Sequence, residues 1–372
     1  MPATRLAILG GTGSIGRQAL DVVAAHPDKL AVTAIAGARN ERALSEIARQ
    51  TGAVATALWS RDGDDALVAL ATRRDVDLVL VATPGIAGLA PTIAALEAGK
   101  RVALANKEVL VTGGHLVAPL AGGAGDLLRP VDSEHCALWQ CLAGVRREDV
   151  KRVLLTASGG PFRERPLDEL ARVTADEALR HPTWKMGPKV TVDSATLANK
   201  GYEVVETRWL YDLPYDRIDI VVHPESVVHA LVELTDGSVK AQLAEPDMRL
   251  PIQYALLWGH AASPARSLDW TRTRELRFAG SPDGERYPCL VAVLDTAASG
   301  NAGAMIGLSA ADEIAVDAFL RGELRFDAIA ATLRRGAALG AAAASSAAPS
   351  LHEILRIDRS VRASLAAEPV LR

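Results

Sequence analysis

Asp132 and Glu134 stand two positions apart in the run Val131-Asp-Ser-Glu-His-Cys136. In extended backbone that spacing points both carboxylates the same way, where they would offer oxygens to a hard divalent cation. A third carboxylate, Glu203, lies at the end of the run 192–203, on a helix expected to begin near Asn199. Mg²⁺ or Mn²⁺ would accept these oxygens and keep positions open for substrate oxygens. Groups suited to a phosphate stand close by. Ser158 opens a Ser-Gly-Gly turn after an apolar strand, so its hydroxyl and the free backbone N–H groups can cradle an anion. Ser194, Asn199 and Lys200 form a second cluster of this kind, and Ser194 also suits a helix N-cap. Between them, 181–187 (His-Pro-Thr-Trp-Lys-Met-Gly) lacks periodicity, and its Trp184 and Met186 can cover a ligand and exclude water.

A second chemistry opens the chain. Gly11-Thr12-Gly13-Ser14-Ile15-Gly16 matches G-x-G-x-x-G directly after a strand and directly before a helix. Its glycines permit a tight turn and close backbone approach, and the helix N-terminus favours a pyrophosphate. An NAD site places an acid at the end of the second strand, to meet the ribose 2′-hydroxyl. Here 37–40 is Gly-Ala38-Arg39-Asn40, with no acid. Arg39 suits a 2′-phosphate, which points to NADPH; the alternative is a solvated loop cation.

These groups need a frame. Apolar runs at 6–9, 30–36, 54–59, 76–82 and 101–105 alternate with helical patterns at 17–26, 41–51 and 91–98. That alternation predicts a parallel sheet with helices on both faces, ending near Val131. From 132 to 257 the pattern changes to strands at 153–156, 218–223, 226–234 and 239–244, with Asp236-Gly237 as a hairpin turn. This predicts an α+β unit with an antiparallel-leaning sheet, in which His223 and His229 are structural. Residues 258–289 read as a linker crossing the molecule. The remainder, 290–372, reads as a helical bundle with helices at 290–298, 308–321, 326–335 and 350–366. Within it, the Ala-, Ser- and Gly-rich stretch 336–349 reads as a helix end plus a mobile loop. The expected fold is therefore α/β: a Rossmann-like NADPH-binding domain (1–131), a central α+β catalytic domain (132–257), and a C-terminal α-helical bundle.

Composition narrows the class. The 372 residues are 49% hydrophobic and 23% charged, an ordinary globular balance rather than a disordered one. A net charge of -4 argues against a nucleic-acid partner. Cys136, Cys141 and Cys289 have neither metal nor disulfide spacing and suit a reducing compartment. The chain enters a strand at once, leaving no room for a signal peptide, and no apolar run spans a bilayer. The expected location is the cytoplasm.

Taken in order, the runs match a known family. They are Gly-Ser-Ile-Gly (13–16), Ala-Asn-Lys-Glu (105–108), Val-Asp-Ser-Glu-His (131–135) and Ser-Gly-Gly-Pro-Phe-Arg (158–163), followed by the loop 181–187. Val-Asp-Ser-Ala-Thr (192–196), Asn-Lys-Gly-Tyr-Glu (199–203), His-Pro-Glu-Ser (223–226) and Glu-Pro-Asp-Met-Arg (245–249) complete the set. The chain resembles 1-deoxy-D-xylulose 5-phosphate reductoisomerase, an NADPH- and metal-dependent family of the non-mevalonate isoprenoid pathway. The resemblance implies that Asp132, Glu134 and Glu203 bind the metal, and that Ser158, Ser194, Asn199 and Lys200 hold the substrate phosphate. It implies that Lys107, Ser133 and His181 touch substrate, with Trp184 and Met186 on a closing flap. Gly11 to Ile15, Ala38, Arg39, Asn40, Asn106, Glu108 and Gly187 would contact NADPH, and the chain would be a homodimer through its central domain. Departures occur at Gly11, where serine is common, at Ala38, where glycine is usual, and at Ser309 and Asp312, where the family usually has asparagines. The last two are expected to touch helix packing more than chemistry. Two rival classes remain in view. A metal-free NADP dehydrogenase would not need the three carboxylates, and a non-catalytic NADPH-binding protein would have no use for them beside Lys200 and a Trp-bearing loop.

Overall fold

A computed structural model describes residues 2–271 and 275–367. The sequence expectations for 272–274 of the linker and for 368–372 of the bundle lie outside the described residues.

The first half alternates strand and helix. β1 (Thr4–Leu9), β2 (Leu30–Gly37), β3 (Ala55–Leu58), β4 (Leu78–Val81), β5 (Arg101–Leu104) and β6 (Leu128–Pro130) form one sheet in the order β3-β2-β1-β4-β5-β6. Every pair in it is parallel. The helices between them are α1 (Ser14–Ala25), α2 (Glu41–Thr51), α3 (Trp59–Ala71), α4 (Leu89–Glu97) and α5 (Glu108–Ala121). Parallel strands buried on both faces explain the unbroken apolar runs: all four residues of β4, Leu-Val-Leu-Val, are fully buried. The order reverses at β1, and the crevice outside the strand ends at that point is where such sheets take ligands.

β6 leads into α6 (Ser133–Leu142), then β7 (Val150–Ala157), the short α7 (Ala175–Ala178), α8 (Pro188–Thr196) and α9 (Ala198–Tyr211). β8 (Ile218–Val222), β9 (Val228–Leu234) and β10 (Val239–Leu243) follow. These strands build a second sheet, β10-β9-β7-β8, antiparallel except for β7 with β8. Asp236 and Gly237 turn the β9–β10 hairpin as expected, with Gly237 at φ +86. After α10 (Arg249–Leu257) the connecting strap crosses the β8 edge, where Ala279 bridges Val222 and the Phe278 ring stacks on His223 at 4.7 Å.

The chain closes with α11 (Pro288–Ala298), α12 (Ala302–Leu320), α13 (Ile329–Ala343) and α14 (Leu351–Ala367). The stretch 336–349 holds a helix end, as expected, with α13 running to Ala343 before the chain leaves the helix. Its small residues serve close packing. A Cβ on Gly307 would sit 2.2 Å from the Gly336 carbonyl oxygen, and one on Gly340 2.1 Å from that of Gly303, so α12 and α13 touch backbone to backbone. Among the described residues, no helix is long and apolar enough to cross a membrane.

Two local expectations fail. The 131–134 run is not extended: Asp132 is the N-cap of α6, its Oδ1 accepting from Ser133 N at 3.1 Å, and Glu134 is in the first helical turn. Aspartate at an N-cap satisfies a free N–H, and an acid in the first turn complements the helix dipole. The two carboxylates still converge, because the helix starts between them. Ser194 is not an N-cap; it lies near the C-terminal end of α8, whose N-cap is Gly187.

Candidate active site

An open cleft lies where the C-terminal ends of the parallel sheet face the second sheet. Ser14 and Ile15 line it from the Gly-rich turn, and Lys107 lines it from the β5–α5 turn. Asp132, Ser133 and Glu134 enter at the start of α6, and Ser158 enters after β7. Ser194 comes from the end of α8, and Asn199, Lys200 and Glu203 from the first turns of α9. Leu197 joins those two helices in the left-handed region at φ 55. Such a conformation costs a branched residue about 1–2 kcal/mol, and here it lets both helix ends face one cleft.

Asp132, Glu134 and Glu203 each present an oxygen, all within 4.8 Å of one another. Two ammonium groups stand among them. Lys107 Nζ is 3.0 Å from Asp132 Oδ2, and Lys200 Nζ is 2.9 Å from Glu134 Oε1 and also bonds Glu203. Asn199 Nδ2 donates to Glu203 Oε1 at 2.5 Å, and Ser133 Oγ donates to Glu134 Oε2 at 2.6 Å. Behind them, His135 Nε2 donates to the Glu203 carbonyl at 2.9 Å, so the neutral ring turns an unprotonated Nδ1 toward Glu206 Oε2 at 3.7 Å and Asp132 Oδ2 at 4.0 Å.

Four buried or half-buried carboxyls thus face two ammonium groups, which leaves surplus negative charge. Burial, then the neighbouring Glu134 charge, pushes Glu203 up to about 8. Burial, with Asp132 beside it, raises Glu206 well above the usual carboxyl range. For Asp132 burial acts upward, but the Lys107 ammonium at 3.0 Å outweighs it and holds the group at about 2. Surplus negative charge on three converging carboxylates fits a divalent cation with oxygen ligands.

The expected phosphate cluster divides. Ser158 Oγ and Ser194 Oγ both meet His181 Nε2, at 3.1 and 3.0 Å. His181 Nδ1 accepts the backbone N–H groups of Thr183 (3.2 Å) and Trp184 (2.9 Å), so Nε2 carries the proton of the neutral ring. Burial lowers this imidazole to about 4. Asn199 and Lys200 instead lie on the carboxylate side of the cleft, against Glu203.

On the nucleotide side, backbone contact requires Gly16, whereas at Gly11 only the end of a side chain stands in the way. A Cβ on Gly11 would meet the Ile35 side chain at 2.4 Å, and one on Gly16 the Gly10 carbonyl oxygen at 2.4 Å. Gly13 caps α1, and Thr12 packs at Gly37. Arg39 is exposed and makes no ion pair among the described residues, and Asn40 Oδ1 caps α2 at Ala43 N. The Ala38 carbonyl already accepts from Ser60 N. Asn106 and Glu108 flank Lys107 without lining the cleft. Asn106 Nδ2 is spent on the Thr83 and Gly85 carbonyls (2.5 and 2.7 Å), and Glu108 pairs with Lys189 at 3.2 Å. Trp184, Met186 and Gly187 line the cleft from the loop, and the Trp184 ring lies 5.9 Å from that of His229.

Sequence reasoning gave His229 only a structural part; it also walls the cleft. His223 is structural as expected, with Nδ1 on Arg277 O and Nε2 accepting from Val227 N and Val228 N. His135, Glu206 and Lys189 were missed. An i,i+3 relation to Asp132 and to Glu203 was the available signal for the first two.

Models of 1-deoxy-D-xylulose 5-phosphate reductoisomerase match residues 6–62 and 56–114, and its C-terminal domain models match 128–211 and 243–364. The chain is 49% identical over 343 residues to the 1-deoxy-D-xylulose 5-phosphate reductoisomerase of Thermomicrobium roseum, covering 88% of this chain and 89% of that one. The chain belongs to the 1-deoxy-D-xylulose 5-phosphate reductoisomerase family. The protein of that name from Exiguobacterium sibiricum is 45% identical across 97% of this chain and 98% of its own. A crystal structure of DOX-P reductoisomerase with NADPH, fosmidomycin and magnesium superposes at a TM-score of 0.92, with 36% identity and 98% of each chain covered. The Zymomonas mobilis reductoisomerase with NADPH gives 0.86 at 38% identity, again over 98% of both.

Proposed function

We propose that this cleft converts 1-deoxy-D-xylulose 5-phosphate to 2-C-methyl-D-erythritol 4-phosphate, by a metal-dependent rearrangement followed by NADPH-dependent reduction. Family membership supports the activity and the cofactors. One observation carries the residue assignment: the Asp132, Glu134 and Glu203 oxygens converge within 4.8 Å, in the same cleft as Ser14 and Ile15 of the Gly-rich turn. A divalent cation held by these three would supply Lewis acidity for the oxyanion that develops during rearrangement. NADPH would supply the hydride that reduces the rearranged aldehyde. The rearrangement itself is an α-ketol shift or a retro-aldol/aldol sequence.

The protein's own groups do the rest. Ser158 and Ser194 hold the substrate phosphate, and His181 donates its Nε2 proton there. Burial keeps that imidazole neutral at neutral pH, so it acts as a hydrogen-bond donor rather than a cation. Asn199 and Lys200 lie against Glu203, and a cation on the carboxylates would leave them free for the phosphate. Lys107 and Ser133 orient the reacting oxygens, and His135 holds the Glu203 backbone from behind. Phosphate contacts remote from the reacting carbons supply binding energy for closing 181–187, where Trp184 and Met186 exclude water. Gly11 to Ile15 take the pyrophosphate, and Arg39 with Ala38 and Asn40 takes the 2′-phosphate. Gly187 completes the nicotinamide side, and Asn106 and Glu108, expected there as contacts, serve it by fixing the turn that carries Lys107.

In this reading 1–131 is the NADPH domain, 132–257 the catalytic and dimer-forming domain, 258–289 the linker and 290–372 the helical bundle. The protein acts in the cytoplasm as a homodimer, which light scattering checks as a molar mass twice that of the chain. The product tests the reaction. With Mn²⁺ and NADPH, carbon NMR should show a branched tetritol phosphate; an unbranched reduced sugar phosphate would make the protein a simple dehydrogenase.

A further inference from the structure

Lys189 is the second residue of α8, just past the 181–187 loop. Its ammonium meets three carboxylates from three parts of the molecule. Glu108 Oε1 lies at 3.2 Å on the first residue of α5, Asp193 Oδ2 at 2.7 Å one turn along α8, and Asp312 Oδ2 at 2.8 Å on α12. It also lies over the Tyr202 ring at 5.2 Å. Asp193 and Asp312 are fully buried and Glu108 nearly so. The aspartate at 312 therefore reaches beyond helix packing.

Both cleft walls depend on this point. Glu108 directly follows Lys107, and Asn106 on the other side is held by Thr83 and Gly85. Lys107 is thus presented to Asp132 by a turn fixed at both ends, and Lys189 supplies one of those fixings. Met186 and Gly187, on the opposite wall, lead straight into Lys189. We propose that Lys189 is a positioning residue for the reaction: its bond to Glu108, anchored on Asp312, sets the distance between Lys107 and the closing loop. The inference rests on the proposed function of the cleft. A 1 Å misplacement of a reacting group costs about 10²-fold in rate, so one half-buried ammonium joining both walls has leverage without touching substrate.

The test measures turnover, Mn²⁺ affinity and melting temperature in Lys189→Met/Glu108→Gln, Glu108→Gln and Lys189→Arg. The double variant removes one charge of each sign. Glu108→Gln alone relieves a surplus of buried carboxylate and should fold even if the double variant does not. We expect kcat to fall about tenfold or more in Glu108→Gln and no further in the double variant, as for residues acting as one unit. In Glu108→Gln, Mn²⁺ affinity and melting should stay near wild type, and Lys189→Arg, which keeps the charge between Asp193 and Asp312, should retain most of the rate. Wild-type turnover in Glu108→Gln would overturn the proposal. So would a further rate loss in a double variant that melts like Glu108→Gln, or a rate loss in Glu108→Gln matched by equal losses in melting and Mn²⁺ affinity. Wild-type protein assayed alongside separates the two readings: if it oxidises NADPH with substrate while the variants do the same, only this inference falls, and if it is inactive both do.

Discussion

Lys200 Nζ lies 2.9 Å from Glu134 Oε1, inside the carboxylate group that would hold a cation. The ammonium balances charge that a divalent ion would otherwise balance. Burial acts to lower Lys200, but Glu134 and Glu203 outweigh it and hold the amine above its usual value, so it stays charged there. Cation and ammonium compete for the same oxygens. Lys200→Met should therefore not weaken Mn²⁺ binding, while KM for the sugar phosphate should rise by about 10-fold or more, as expected when a charged group loses its partner. Calorimetric Mn²⁺ titration and steady-state kinetics check the two halves separately.

Glu203→Gln removes a charged ligand while keeping its shape. Cation affinity should fall by about 10²-fold, and turnover with it, whereas NADPH binding should survive because the Gly-rich turn is untouched. Electron paramagnetic resonance of Mn²⁺ and quenching of NADPH fluorescence read these apart. Near-normal turnover would remove Glu203 from the metal site.

Glu203 also makes cation binding depend on pH. Its carboxyl, ordinarily at 4.5, is raised to about 8 in the folded, cation-free protein. Between those values the folded state binds the extra proton, so this group's contribution to stability is full below pH 4.5 and is lost as pH rises towards 8. The cation must displace that proton. Mn²⁺ affinity should rise with pH up to about 8 and then level, and binding at pH 7 should release about one proton. Calorimetry in buffers of different ionisation enthalpy counts it; no proton release would contradict the assignment.

Arg39→Glu tests the cofactor choice. Kd for NADPH should rise by about 10-fold or more while that for NADH changes little, because only the 2′-phosphate loses a charge-assisted partner. Equal losses would detach Arg39 from that role.

Gly307→Ala addresses the bundle rather than the chemistry. Its Cβ would lie 2.2 Å from the Gly336 carbonyl oxygen, so α12 and α13 must separate. A loss of about 1–3 kcal/mol is expected in a denaturant titration, with KM values close to wild type.

Much of this was legible in the sequence, for reasons that differ by residue. Strands buried on both faces announce themselves as apolar runs, and Gly11 to Gly16 carries its own turn geometry, so the nucleotide half and its switch point could be placed. Asp132, Glu134 and Glu203 were identifiable as oxygen donors even though the expected extended backbone at 131–134 is a helix start; the cap requirement of α6 overrode the strand pattern. Ser194 was recognisable by type, but its position depends on the left-handed turn at Leu197, which no local propensity favours. A helix end within 336–349 was legible, but not the purpose of its glycines, which make contact with α12, a partner invisible in a local window. Lys189 and Asp312 are far apart in the chain, and only tertiary packing joins them.

The most direct test of the central claim follows NADPH absorbance with purified protein and 1-deoxy-D-xylulose 5-phosphate, first with Mn²⁺ and then with excess chelator. The account predicts oxidation that requires both sugar phosphate and cation and stops on chelation. Oxidation that continues under chelator, or none at all despite tight NADPH binding, would contradict it.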